Sequence, residues 1–332
     1  MPLPFVTLHL PSSQTLSAHP AFSEFETAEE AEILEKIFET RIFSLMPIVE
    51  VGKIDFKPLS LCSKTGGLPF LCERYPLKPD PKANLALQLY LDDLPNEYLA
   101  EQNIPSTVAM IQVFFTENYT PSGNMYGLSD AGVVIRLLTK DDISSPINLS
   151  DYPYIPEEET FCGDFVPKTF TGWINVEQLV LCNYLRQVAD IPKDENLDYN
   201  DFSKKFFKAI RVRTIEHDFE DATLPEPFKW FEDFCNEVMY DCLYGRWRSG
   251  NAGTRLFSAT GVFTQDPISY WKEAGCEKQT NFISFDSDLL SPVTFGDMGT
   301  FNIFIDWNSL SNFENMTEED IIKHCYGSMD CC

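Results

Sequence analysis

The stretch 281-NFISFDSDLLSPVTFGDMGTFNIFIDWNSLSN-312 reads as two β-strands joined by a loop that carries turn residues. Phe282 to Phe285 makes one short apolar run and Phe301 to Ile305 a second; phenylalanine and isoleucine suit a pleated, partly buried surface. Gly296, Asp297 and Gly299 between them supply turn conformations. A related pattern stands about 190 residues earlier in the chain. There LALQLYLDDL (85–94) precedes MIQVFF (110–115): an apolar strand, an acidic turn, a spacer and a second apolar strand. Two such units in one chain point to an internal duplication.

Around these strands the composition sets bounds. With 332 residues, a hydrophobic fraction of 44% and 27 phenylalanines, the chain has ample material for a folded core. Lys and Arg total 25 against 51 Asp and Glu, a formal net charge of −26. Such a field repels nucleic acid and anionic membrane and draws in basic partners. No run of ~18 apolar residues occurs, so no transmembrane helix is expected. The opening MPLPFVTLHLPSS lacks a basic segment and is broken by prolines, unlike a secretory signal. A cytoplasmic protein with free thiols is the expectation, and the ten cysteines fit it. No CxxC pair occurs and only four histidines are present (9, 19, 217, 324), so no metal site and no cofactor is expected.

Taken in order, the chain opens with a strand at Phe5–Leu10 and a helix expected over Thr27–Met46, started by a Thr27/Glu30 capping box. Gly66-Gly67 and Pro69 mark a tight turn without the spacing of a phosphate loop. Strands follow at Leu85–Leu91, Val108–Phe115 and Gly132–Thr139. Asp141–Lys168, with Glu157, Glu158 and Glu159, has the composition of an exposed acidic connection. Helices are expected at Asn175–Ala189, Asp201–Ile210 and Pro227–Cys242, with the acidic run Glu216 to Asp221 between the last two. A strand at Leu256–Phe263, a glycine turn at 261 echoing Gly66, the opening hairpin and a helix capped by Thr317 complete the second copy. The organisation expected is an N-terminal strand and helix (1–59), a first β-rich repeat (60–170), a helical insertion (171–249) and a second β-rich repeat (250–332), in one compact unit.

KTGGLPFL (64–71), LALQLYLDDLP (85–95), MIQVFF (110–115), FISFDSD (282–288) and FGDMGTFNIFID (295–306) occur in an order that resembles the YwqG-like proteins, a group carrying a domain of unknown function. The terminal YGSMDCC is similar to that family's closing segment. The chain departs from the pattern at Tyr90, where an Asp is expected, and at Ser284, which replaces a Gln. The resemblance implies an α+β fold with duplicated antiparallel sheets and no established enzyme activity. Some members neighbour polymorphic toxin systems, which implies an immunity role. With the helices read from the residues, the fold class expected is α+β: an internally duplicated antiparallel β-sheet scaffold with flanking helices and a helical insertion between the repeats.

Three functions compete. A hydrolase would use carboxylates of the duplicated turns, with Asp286, Asp288 and Asp297 as candidates; the plainer reading is that Asp286 and Asp297 hydrogen-bond turn backbone. A small-ligand- or metal-binding regulatory domain is a second alternative. The favoured expectation is a non-enzymatic acidic protein that binds and neutralises a cognate, basic toxin or effector, with no catalytic residue. Glu157, Glu158, Glu159, Glu216, Asp218, Glu220 and Asp221 are its expected partner-binding residues.

Overall fold

The computed structural model describes residues 2–8, 23, 25, 27–39, 41–51, 60–119, 128–148, 165–179, 254–257, 281–287, 290–295 and 299–330. Eleven strands run through them: β1 (Phe5–Leu8), β2 (Arg41–Val51), β3 (Lys64–Thr65), β4 (Asn84–Tyr90), β5 (Val108–Phe115), β6 (Val133–Thr139), β7 (Lys168–Leu179), β8 (Arg255–Leu256), β9 (Asn281–Asp286), β10 (Thr300–Ile305) and β11 (Cys325–Asp330). They form one sheet in the order β11-β10-β9-β8-β2-β7-β3-β4-β5-β6, curled into a half-barrel. All neighbours are antiparallel except β1, which adds to β7 in parallel. The described helices are α1 (Ala28–Glu39), α2 (Asn96–Glu101), α3 (Lys140–Ser144) and α4 (Glu318–Ile322). The fold is therefore mainly β, not the α+β arrangement with flanking helices expected from the sequence.

Two corrections show where helix was overestimated. The capping box at Thr27 forms, with the Glu30 N–H donating to Thr27 Oγ1 (3.1 Å) and the Thr27 N–H to Glu30 Oε2 (3.2 Å). The helix nevertheless ends at Glu39, and RIFSLMPIVEV becomes β2. Branched and aromatic residues there meet a long partner strand, and tertiary pairing overrides the helical spacing. Among the described residues, β8 pairs with β2 at Leu45, and Pro47 lies opposite Trp173 of β7. Likewise Asn175–Leu179, expected to open a helix, is the end of β7 and pairs with β2 from Leu45 to Arg41. The rest of that helix, the other two of the insertion, the glycine turn at 261 and the acidic segments 157–159 and 216–221 lie outside the described residues.

The core lies between the two halves. Alternation places Leu87 and Leu89, Ile111, Val113 and Phe115, and Val133, Ile135 and Leu137 in one buried cluster with Ile283, Phe285, Phe301 and Ile303. The Phe115 ring meets Phe285 edge-on at 5.5 Å and Phe301 at 5.9 Å, so strands of the two halves share one interior. Every residue of β5 is buried, because its other face is covered too. There Met110 and Leu138 pack under Phe70, Cys72 and Tyr75 of the loop that follows β3.

The two meanders share backbone detail. The Gly66 N–H donates to the Leu85 carbonyl at 2.8 Å, and the Phe257 N–H donates to the Phe282 carbonyl at 3.1 Å. Both donors are left-handed, Gly66 with φ 70° and Phe257 with φ 56°. One residue before each short strand a hydroxyl accepts from the end of the next long strand: Ser63 Oγ from the Tyr90 N–H (3.0 Å), Thr254 Oγ1 from the Asp286 N–H (3.1 Å). The counterpart of the Gly66 turn is thus at Phe257. A bulky side chain at positive φ is uncommon, and its ring compensates by stacking on Tyr98 (5.9 Å) and meeting Phe282 (6.1 Å).

Candidate functional site

Lys64, Gln88, Gln112 and Arg136 stand in register across β3, β4, β5 and β6, a polar row through otherwise apolar strands. All four are buried. The two glutamines grip the backbone of one residue of the covering loop, Phe70. The Phe70 N–H donates to Gln88 Oε1 (2.7 Å), and Gln112 Nε2 donates to the Phe70 carbonyl (2.8 Å). Gln88 Nε2 donates on to the carbonyls of Ser60 (3.1 Å) and Cys62 (2.9 Å), while Lys64 Nζ donates to the Leu68 carbonyl (2.5 Å). Gln112 Oε1 has no partner among the described residues. The second half carries the matching row Arg255, Ser284, Asn302, Ser328 across β8 to β11. Asn302 Oδ1 accepts from Ser284 Oγ (2.5 Å) and from Asn281 Nδ2 (3.3 Å).

At the end of the first row, arginines fasten the C-terminal segment to the sheet. Arg136 Nε donates to Glu318 of α4, and its Nη1 to the Leu77 carbonyl at 2.8 Å. Arg74 Nη2 donates to the carbonyls of Phe313 (2.9 Å) and Met316 (3.0 Å), and its Nη1 lies 3.7 Å from Asp142. Both guanidinium groups lie against the Tyr75 ring, at 5.1 Å and 4.8 Å from its centroid. The Tyr75 hydroxyl is buried and has no hydrogen-bond partner among the described residues. Burial pushes it up to about 12, against the pull of Arg74 and Arg136 towards ionisation.

Other described groups are buried outside this clasp. Burial pushes the Cys72 and Cys325 thiols up, away from the reactive thiolate. Burial also raises Asp93, although the Ser63 N–H donates to its Oδ2 at 2.7 Å and favours the charged form. Asp286 is fully buried at the end of β9, and its Oδ1 accepts from the Ser287 N–H at 2.7 Å. That is the turn-capping geometry, and the Asp288 and Asp297 positions lie outside the described residues. Among the described residues, no three His, Cys, Asp or Glu side chains converge as a metal ion would require.

No protein-family model matches the chain, and no curated protein matches it.

The seven acidic residues expected to bind a partner, Glu157 to Glu159, Glu216, Asp218, Glu220 and Asp221, all lie outside the described residues. The polar row and the arginine clasp were missed as a constellation. A signal for them exists: LALQLYL, MIQVFF and VVIRLLT each carry a single polar residue near the middle of an apolar strand. Three such residues in three consecutive strands mark a buried row.

Proposed function

We propose that this protein is a non-enzymatic binding protein whose acidic surface takes a basic protein partner. One observation carries the reading. Among the described residues five cations are buried (Lys64, Lys78, Arg136, Lys168 and Arg255) but only three carboxylates, Glu30, Asp93 and Asp286. Among these residues the fold withdraws more cations than anions, although the chain as a whole has 25 basic and 51 acidic residues. The surface formed by the described residues is correspondingly the more acidic, a field that would steer a basic partner in and speed its capture. Of the exposed lysines, Lys82 is engaged by Glu117 (3.0 Å) and Lys323 by Asp320 (2.8 Å).

Within that class we favour an immunity protein that neutralises a cognate toxin or secreted effector in the cytoplasm. The support is the resemblance to the YwqG-like group together with the charge; among the described residues no helix is long and apolar enough to cross a membrane. The partner-binding residues proposed are Glu157, Glu158, Glu159, Glu216, Asp218, Glu220 and Asp221. Affinity capture from the source cell at low salt should retain a basic protein that elutes as ionic strength rises. Reversing Glu216, Asp218, Glu220 and Asp221 to lysine should slow its association and flatten the salt dependence. An unchanged association rate at low salt would remove this segment from the interface.

A further inference from the structure

We infer that β2 and β7 form a crossed coupling pair that makes the two halves one cooperative unit, so that neither half opens without the other. In chain order each long strand runs ahead of a short one, β2 ahead of β3 and β7 ahead of β8. In the sheet the pairing is crossed: β2 lies against β8, and β7 lies against β3. The two long strands also pair with each other over their whole length, from Arg41 with Leu179 to Val51 with Lys168. Each half of the sheet therefore ends on a strand that precedes the other half's short strand.

The side chains repeat the crossing. Leu45 comes before the first meander in the chain, yet it is fully buried in register with Leu256 of the second. Trp173 comes after the first meander and stays with it: its Nε1 donates to the Asp93 carbonyl (2.8 Å) and its backbone N–H to the Pro4 carbonyl (2.9 Å). Repeats that keep their own strands can unfold one at a time, since the surviving repeat loses only an interface. Here, peeling the second half from β8 uncovers β2. β2 is the partner of β7, and β7 is the strand on which β3 and β1 rest. The shared aromatic interior, with Phe115 against Phe285 and Phe301, removes the alternative of a clean split between the halves.

Hydrogen–deuterium exchange on the full chain, read from peptides covering β4–β5 and β9–β10 along a denaturant series, tests this. Both sets should lose protection at the same denaturant concentration. Leu45→Ala should then lower protection in both sets by the same factor, tenfold or more. Separate midpoints for the two sets in the unsubstituted protein would overturn the inference. So would a Leu45→Ala protein in which β9–β10 exchange faster while β4–β5 keep their protection. If Leu45→Ala does not fold, the denaturant series on the unsubstituted chain decides alone.

Discussion

The Tyr75 hydroxyl is a buried polar group with no hydrogen-bond partner among the described residues, held between two guanidinium groups that need only its ring. Deleting it removes an uncompensated desolvation and leaves the packing intact. Tyr75→Phe should therefore leave stability unchanged or raise it by about 1 kcal/mol, read as the urea midpoint at pH 7. A pH dependence follows from the same burial. The folded state holds Tyr75 up to about 12, above the ordinary 10.0 of the unfolded chain, so it favours the neutral phenol. That contribution is fully present below pH 10 and is lost as pH rises towards 12; the Phe variant should lack this part of the alkaline loss. Gly66 shows the opposite sensitivity. Its φ is 70°, and an added Cβ would stand 2.9 Å from Pro167 Cα and 3.0 Å from the Phe165 ring. Gly66→Ala should cost about 1–3 kcal/mol, with the urea slope unchanged. A substitution without measurable cost would mean the loop repacks away from β7.

At the level of elements, the polar row joins loop to sheet. Gln88→Leu keeps the side-chain volume of β4 but leaves the Phe70 N–H and the Ser60 and Cys62 carbonyls without their partner. The expected loss is about 2–4 kcal/mol, from stranded buried groups rather than from a cavity. It should be accompanied by faster amide exchange at Phe70. Equal stability with unchanged exchange there would show that the loop does not depend on the glutamines. What was legible in the sequence follows the same physics. Strands β4, β5, β6, β9 and β10 were readable from their short apolar runs, whereas β3 and β11 were not, and the caps at Thr27 and Thr317 were readable because their chemistry is local. RIFSLMPIVEV and TFTGWINVEQL were misread at their helical edges because what makes them strands is each other, paired across about 130 residues of chain. The counterpart of the Gly66 turn escaped because Phe257 adopts the glycine conformation without being glycine.

For the whole molecule the dominant fact is a net charge of −26, and among the described residues more cations than carboxylates are buried. Self-repulsion of this size opposes the compact state and is reduced by added salt, because the screening length shortens to about 10 Å at 0.1 M. Exposed pairs such as Lys82–Glu117 and Lys323–Asp320 oppose that trend only weakly, since each contributes little in water. The melting temperature at pH 7 should therefore rise by several degrees between low and physiological ionic strength. The same salt step should have a smaller effect near the isoelectric point of about 4.4, where the net charge vanishes. A melting temperature that falls with salt at pH 7 would mean that attractive pairs, not repulsion, control stability. Short polylysine offers the decisive companion measurement, because it relieves the same repulsion by binding. It should raise the melting temperature at low salt and lose that effect at high salt; no shift at low salt would show that the acidic surface is too dispersed to hold a basic chain.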